Sequence, residues 1–107
     1  MPAALTARIY LPSVALAAGV PREVDLELNG ARSWSIVVKN TGANPMTAAT
    51  LKRSPLGALF GPAESLPAGV PLAAGESLVI TGTEPLTTLR LTLTSSSGTS
   101  LHIEGGG

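Results

Sequence analysis

Glu23-Val-Asp-Leu-Glu-Leu-Asn-Gly-Ala-Arg-Ser-Trp-Ser-Ile-Val-Val-Lys-Asn40 is the stretch that decides the fold. Val24, Leu26 and Leu28 alternate with Glu23, Asp25 and Glu27. That period of two gives an extended strand one apolar and one acidic face. Asn29-Gly30 follows, a turn signal because both residue types tolerate positive φ. Trp34, Ile36 and Val38 then alternate with Ser33, Ser35, Val37 and Lys39, and Asn40-Thr41-Gly42 closes the second run. The stretch predicts a β-hairpin across residues 23–40.

Working outward, the same short period recurs. Ala7 to Leu11 reads as a strand, and residues 47–53 as another with Ala49 and Leu51 on one face. Leu78 and Ile80 open a further strand. Leu89, Leu91 and Leu93 alternate with Arg90, Thr92 and Thr94, and a Ser/Gly turn at 95–98 leads to Leu101 and Ile103 as a final hairpin. Between them, residues 54–75 carry four prolines and four glycines (Pro55, Gly57, Gly61, Pro62, Pro67, Gly69, Pro71, Gly75) and predict a long irregular connection. Frequent Pro and Gly and β-branched periodic runs leave no helical window. The expected fold is therefore all-β: an antiparallel β-sandwich, jelly-roll-like, of about seven or eight strands. Residues 1–20 are expected as a partly extended N-terminal arm, 21–104 as a single sandwich domain and 105–107 as a flexible Gly tail. Leu-Ala-Ala-Gly occurs at Leu16–Gly19 and again at Leu72–Gly75, each copy ahead of a strand pair. That fits a double Greek key, and it also fits chance in a chain so rich in these residues.

Seven basic and seven acidic side chains leave a formal net charge of zero, and charged residues are only 13% of the 107 against 44% hydrophobic. A globular domain usually carries about 25% charge. Spread over the roughly 5,500 Å² that a monomer of this size exposes, that is about one charge per ~400 Å². Near-neutral surfaces promote association, so partners are expected to cover much of this one. With Lys52-Arg53 the sole basic pair, nucleic acid is not an expected partner. No apolar run reaches the ~20 residues of a membrane span, so no membrane is expected either. Leu11–Val20 with Ala17-Ala18-Gly19 faintly resembles a leader and its cleavage site, but Pro12 interrupts it and Arg8 alone stands for the basic region. Zero Cys excludes a disulfide framework and thiolate catalysis.

The inventory of reactive groups points away from an enzyme. The single His, His102, sits between Leu101 and Ile103, on the outward phase of the last strand. It is read as a polar surface or interface group, because no partner residues complete a triad or a metal site. No metal-ligand spacing or phosphate loop occurs, so no catalytic residue, cofactor or metal is expected. Asp25 and Glu27 stand about 7 Å apart on one strand, a glycosidase-like spacing. They lie on a flat face, however, and read as a solvated acidic strip. Trp34, on an apolar phase, reads as a core anchor.

Three segments carry a resemblance: Trp34 to Pro45, Leu72 to Ile80, and Leu89 to Thr99, within residues ~24–104. In strand and turn pattern they resemble the small β-sandwich capsid decoration (cement) proteins of tailed bacteriophages. Bacterial extracellular Ig-like adhesion modules share the same signatures. The phage resemblance implies a structural virion protein on the capsid surface, partnered by the major capsid protein and forming a homo-oligomer, with a trimer as the unit. The alternative it leaves is a secreted Ig-like binding or adhesion module of a larger surface assembly. On the phage reading the arm and the 54–75 loop are the reaching elements. Ile9, Tyr10, Leu11, Leu56, Leu59 and Phe60 are the expected interface residues, with Leu56, Leu59 and Phe60 also expected to pin the loop to the core. Arg90 is expected to form an ion pair at a subunit contact.

Overall fold

A computed structural model describes residues 8–55, 59–65, 70–83 and 85–106. Among the described residues eight strands follow one another: β1 (Arg8–Leu16), β2 (Arg22–Ala31), β3 (Trp34–Asn40), β4 (Ala48–Ser54), β5 (Glu64–Ser65), β6 (Ser77–Gly82), β7 (Leu86–Thr94) and β8 (Thr99–Gly106). They form two four-stranded sheets, ordered β1-β8-β3-β6 and β2-β7-β4-β5, and every ladder is antiparallel. The first strand lies beside the last, and β2 beside β7. β3 pairs with β6 and β4 with β5. Two interleaved Greek keys of this kind define an eight-stranded jelly roll, so the expected sandwich class is observed.

Neither expected hairpin forms. β2 and β3 lie in different sheets, as do β7 and β8. The reason is the phase of the apolar residues. A two-residue hairpin at Asn29-Gly30 would set Leu26 opposite Ser33 and Asp25 opposite Trp34, and cross-strand partners share a face. Such a sheet would have no apolar side. Asn29 and Gly30 do take positive φ (52° and 76°), but as extra residues inside β2. The register to β7 shifts between Glu27, opposite Thr88, and Ala31, opposite Leu86. Bulges of this kind bend a strand and let it pass to the other layer. The same mismatch governs the end of the chain: a tight turn at 95–98 would set Leu93 against Ser100. Ser100 instead pairs with Ala15, and Leu93 with Arg22 and Ala49.

In the observed pairing, apolar residues meet apolar residues. Leu26 lies opposite Leu89, Leu51 opposite Leu91, Val38 opposite Leu78 and Ile103, and Ile36 opposite Ile80. These side chains are buried between the sheets with Trp34, Met46, Leu72 and Leu101. Each such burial stabilises by about 1.5–3 kcal/mol.

Two expected boundaries move. Residues 8–16 are not an arm but strand β1, bonded along β8 with a bulge between Leu11 and Val14 where Pro12 falls. Gly105 and Gly106 are not a tail: they lie in β8 between β1 and β3, facing Ile9 and Arg8 on one side and Ile36 and Ser35 on the other. The expected long connection runs from β4 to β6. It is interrupted by two-residue β5 and by a bridge from Leu72 to Met46.

The Leu-Ala-Ala-Gly repeat acquires a structural meaning. Gly19 and Gly75 both take positive φ (70° and 82°), one just ahead of β2 and the other just ahead of β6. Replacing β1–β4 by β5–β8 in the sheet order turns β1-β8-β3-β6 into β5-β4-β7-β2, which is the second sheet read backwards. The two copies therefore occupy equivalent corners of the two Greek keys. The side-chain phase does not repeat with them, since Trp34 is buried and its counterpart Arg90 is half-exposed.

One buried polar group ties these corners together. The Asn40 amide donates to the carbonyls of Asn44 (2.8 Å) and Leu72 (2.9 Å), while its Oδ1 accepts from Gly42 N (3.0 Å) and Thr99 Oγ1 (2.8 Å). Its backbone bonds Glu76 O and Gly75 N. All its side-chain valences are met, which is what makes a buried amide tolerable.

At the other end of β3 the Trp34 indole lies across Gly82, and a Cβ there would overlap the ring. Gly82→Ala is expected to destabilise the fold by about 1–3 kcal/mol, the usual cost of overpacking. Urea unfolding followed by Trp34 fluorescence measures it, and an unchanged midpoint would contradict this packing.

Candidate assembly surface

The outer face of the β1-β8-β3-β6 sheet can be built row by row from the ladders. Tyr10, Glu104, Val37 and Val79 form one row across all four strands. His102, Lys39 and Ser77 form the next, and Gly106, Ser35 and Thr81 flank the first row on its other side. Three of the largest exposed hydrophobics lie in that one row: Tyr10 (61% exposed), Val37 (38%) and Val79 (61%). Val37 and Val79 are direct cross-strand neighbours. Shallow depressions of about 390 and 470 Å³ adjoin on this face, and both are lined by Val37 and Glu104. Polar contacts stiffen its β1–β8 side. His102 Nε2 lies 2.6 Å from Glu104 Oε1, and the Tyr10 ring meets the imidazole edge-on at 5.3 Å between centroids. Arg8, Lys39 and Glu104 are the charges of this face, and Glu104 stands between Tyr10 and Val37. The adjacent Val37 and Val79 and the uncharged Ser35, Ser77 and Thr81 around them form the part that another protein can cover cheaply, because no charge there needs to be desolvated.

The other sheet presents a different outer face. Arg90 forms a two-pronged pair with Asp25, its neighbour across the ladder (Nε–Oδ1 2.7 Å, Nη2–Oδ2 3.1 Å). The guanidinium also lies 4.1 Å from the centre of the Phe60 ring. Pro55, Phe60 and Gly61 are thus fastened on the outside of this sheet, with Thr87 Oγ1 donating to Pro55 O and Gly61 N donating to Arg53 O. Arg53 pairs with Glu64 at 2.9 Å and reaches over the Trp34 ring at 5.7 Å. Glu27 accepts from Thr88 Oγ1. The acidic strip is therefore engaged within the chain.

The expected interface residues separate on these two faces. Tyr10 is exposed on the first sheet. Ile9, one residue earlier, points into the core, and Leu11 packs against it. Alternation along β1 leaves only one of the three outward. Leu59 is 83% exposed, and Phe60 stacks on Arg90, so neither pins the loop to the core as expected. Leu56 lies outside the described residues. Arg90 makes its ion pair inside the chain, with Asp25. Trp34 is the core anchor the sequence implied, and His102 faces outward. Val37 and Val79 were missed, although each breaks the alternation of its strand: Ile36-Val37-Val38 and Leu78-Val79-Ile80 are apolar on both faces. Among the described residues no group of three or more His, Asp or Glu side chains is placed to hold a metal ion.

No family model matches the chain, and no curated protein matches it in sequence. Solved structures do match in fold. A chain in the structure of infectious bursal disease virus Gt strain superposes with a TM-score of 0.50 at 12% identity, covering 94% of this chain and 30% of its own. A chain in the structure of the Gx strain gives a TM-score of 0.48 at 16% identity, covering 95% and 30%. The present chain thus spans about 30% of the length of the chains it matches. At this identity the likeness to the Gt-strain chain shows the fold, an all-β sandwich that also occurs in a virus structure.

The Asp25–Arg90 pair carries a pH dependence. Hydrogen bonding to Arg90 holds the Asp25 carboxyl below its ordinary value, against a smaller opposing push from burial. A carboxylate depressed in the folded state stabilises it above the unfolded pKa, and that contribution fades as pH falls through the folded one. Stability is therefore expected to decline below about pH 4, the ordinary carboxylate range. Asp25→Asn should shallow that acid limb slightly, since solvent screens a pair this exposed. Thermal melts from pH 2 to 7 test this, and identical acid limbs would show the pair contributes nothing.

Proposed function

We propose that the chain is a structural protein of a virus particle, seated on the capsid where it decorates or ties together neighbouring capsid subunits. The observation that carries this is the sparsely charged outer face of the first sheet of a jelly roll, with exposed Tyr10, Val37 and Val79 in one row that Glu104 completes. Fold alone does not give function, since jelly rolls also serve lectins and cupins. Residue chemistry narrows the choice. Sugar stacking usually asks for several exposed rings, whereas Trp34 is buried, Phe60 lies against Arg90 and Tyr10 alone is strongly exposed. Cupin chemistry asks for clustered histidines, whereas the sequence has one. The pattern resemblance to phage decoration proteins and the sandwich shared with a chain of a virus structure both support a virion role. In this reading the chain is not an enzyme, and its partner is the major capsid protein.

The Ig-like alternative fits the topology less well. An immunoglobulin sandwich of seven strands sets A, B, E and D in one sheet and C, F and G in the other, so its first and last strands lie apart. In this chain β1 and β8 are ladder partners.

Fractionation tests the reading. Intact particles from cells that make the protein are purified by density gradient, and their proteins quantified by mass spectrometry. The chain is expected in the capsid band at an abundance comparable to the major capsid protein, and at the particle surface when cleaved by added protease. Recovery only in the soluble fraction would overturn the assignment.

A further inference from the structure

Two sheets have four edges, and three of them are defended against further pairing. β1 carries Arg8, Pro12 and a bulge between Leu11 and Val14. β2 carries Arg22, Glu23, Asp25 and Glu27 and its own bulge. β5 is two residues long. Charges, proline, bulges and shortness are the devices that keep an edge strand from recruiting another. β6 has none of them. Ser77-Leu-Val-Ile-Thr-Gly82 is uncharged and proline-free, and it is paired to β3 without a register shift over all six residues. Among the described residues no strand lies on its other side.

The hydrogen bonds fix which groups this edge presents. Asn40 N donates to Glu76 O, so the ladder phase makes Val38/Leu78, Ile36/Ile80 and Trp34/Gly82 the hydrogen-bonded pairs of β3 and β6. On the other side of β3, Thr41 N donates to Ser100 O, which places the intervening residues of β3 toward β8, as this phase requires. Ser77, Val79 and Thr81 therefore direct their N–H and C=O groups to the open edge. Their side chains all lie on the exposed outer face.

We infer that β6 pairs antiparallel with β6 of a second copy of this chain, about a two-fold axis at Val79, joining two four-stranded sheets into one. The inference is independent of whether the chain sits on a capsid. The second copy is the occupant because the edge is complementary to itself in this one register. Val79 meets the partner's Val79, and Ser77 meets the partner's Thr81, each pair exchanging two backbone hydrogen bonds. On the inner face Leu78 meets the partner's Ile80 in the closer, non-hydrogen-bonded spacing, so the buried layer continues through the contact. Ser/Thr and aliphatic cross-strand pairs are both favourable, and no like charges face each other. Val37 and Val79 of the two copies would then form one continuous apolar patch on the outer face. This contact makes a pair, in place of the trimer implied by the phage resemblance.

Cysteine-free sequence makes the test clean. Across a hydrogen-bonded antiparallel pair the two Cα atoms at position 79 would be about 5.5 Å apart, within disulfide reach. Val79→Cys is expected to oxidise to a linked dimer faster than Val20→Cys, a control at a similarly exposed site. Sedimentation equilibrium of the wild type should show a concentration-dependent dimer. Val79→Pro removes an N–H that the β3 ladder does not use, and it should weaken association by at least about tenfold. The melting temperature of the dilute protein should not change. Val79→Lys should weaken association in the same way, by setting like charges opposite each other. A wild type monomeric at every concentration would overturn the inference. So would a dimer that both substitutions leave intact, or Val79→Cys linking no faster than the control.

Discussion

An extended chain changes the face its apolar residues occupy only where an extra residue enters it. That constraint organises this molecule. The apolar phases of β2 and β3, and of β7 and β8, do not match across the short turns that join them. A two-residue turn between β2 and β3, or a tight one between β7 and β8, therefore cannot keep them in one sheet without setting Trp34 beside Asp25 or Leu93 beside Ser100. Each mismatch is resolved by passing to the opposite layer, where the phases agree with other partners: Leu26 with Leu89, Val38 with Ile103, and Ile36 with Ile80. The order β1-β8-β3-β6 over β2-β7-β4-β5 follows from those matches. Asn40 then fixes the corners, because it is the one buried amide that bonds the 41–46 turn, Leu72 and the start of β8 together.

The same partition sorts the few charges. On the second sheet, Asp25–Arg90 and Arg53–Glu64 are paired within the chain, and Phe60 lies over Arg90. Part of that face thus lies under Phe60 of the chain's own connection. On the first sheet the outer face keeps an uncovered stripe of Tyr10, Val37 and Val79. It ends at β6, the one edge without charge, proline or bulge. Sparse charge is thus not spread evenly: the uncharged patch around Val37 and Val79 and the undefended edge coincide, and both favour association.

Strand positions were legible from the sequence because period-2 alternation is local: Leu26-Glu27-Leu28 and Leu89 to Leu93 read correctly as half-buried strands. Pairing was less legible, since Asn29-Gly30 is a turn signal that also suits a bulge. The parity of Leu26 against Trp34 would have decided between them. For the candidate surface, Tyr10 and the outward His102 were readable from alternation. Ile9 belongs to the core, a place that residues 8–11 give it as a strand and that an arm would not. Arg90's partner was not readable: Asp25 lies 65 residues away, and only the β2–β7 register brings them together. Val37 and Val79 carried a visible sign, an apolar residue on the polar phase, but only the sheet order shows that they stand side by side at an edge.

The central claim is that this sheet is completed by protein at the β6 edge. Amide hydrogen exchange at Ser77, Val79 and Thr81 addresses it most directly, because those three N–H groups bond nothing along β3. The account predicts exchange close to that of an unprotected amide in dilute solution, slowing by at least about tenfold at concentrations where the chain associates. Leu78 and Ile80, bonded to β3, should stay protected throughout. Fast exchange at Ser77, Val79 and Thr81 in the associated state would contradict it.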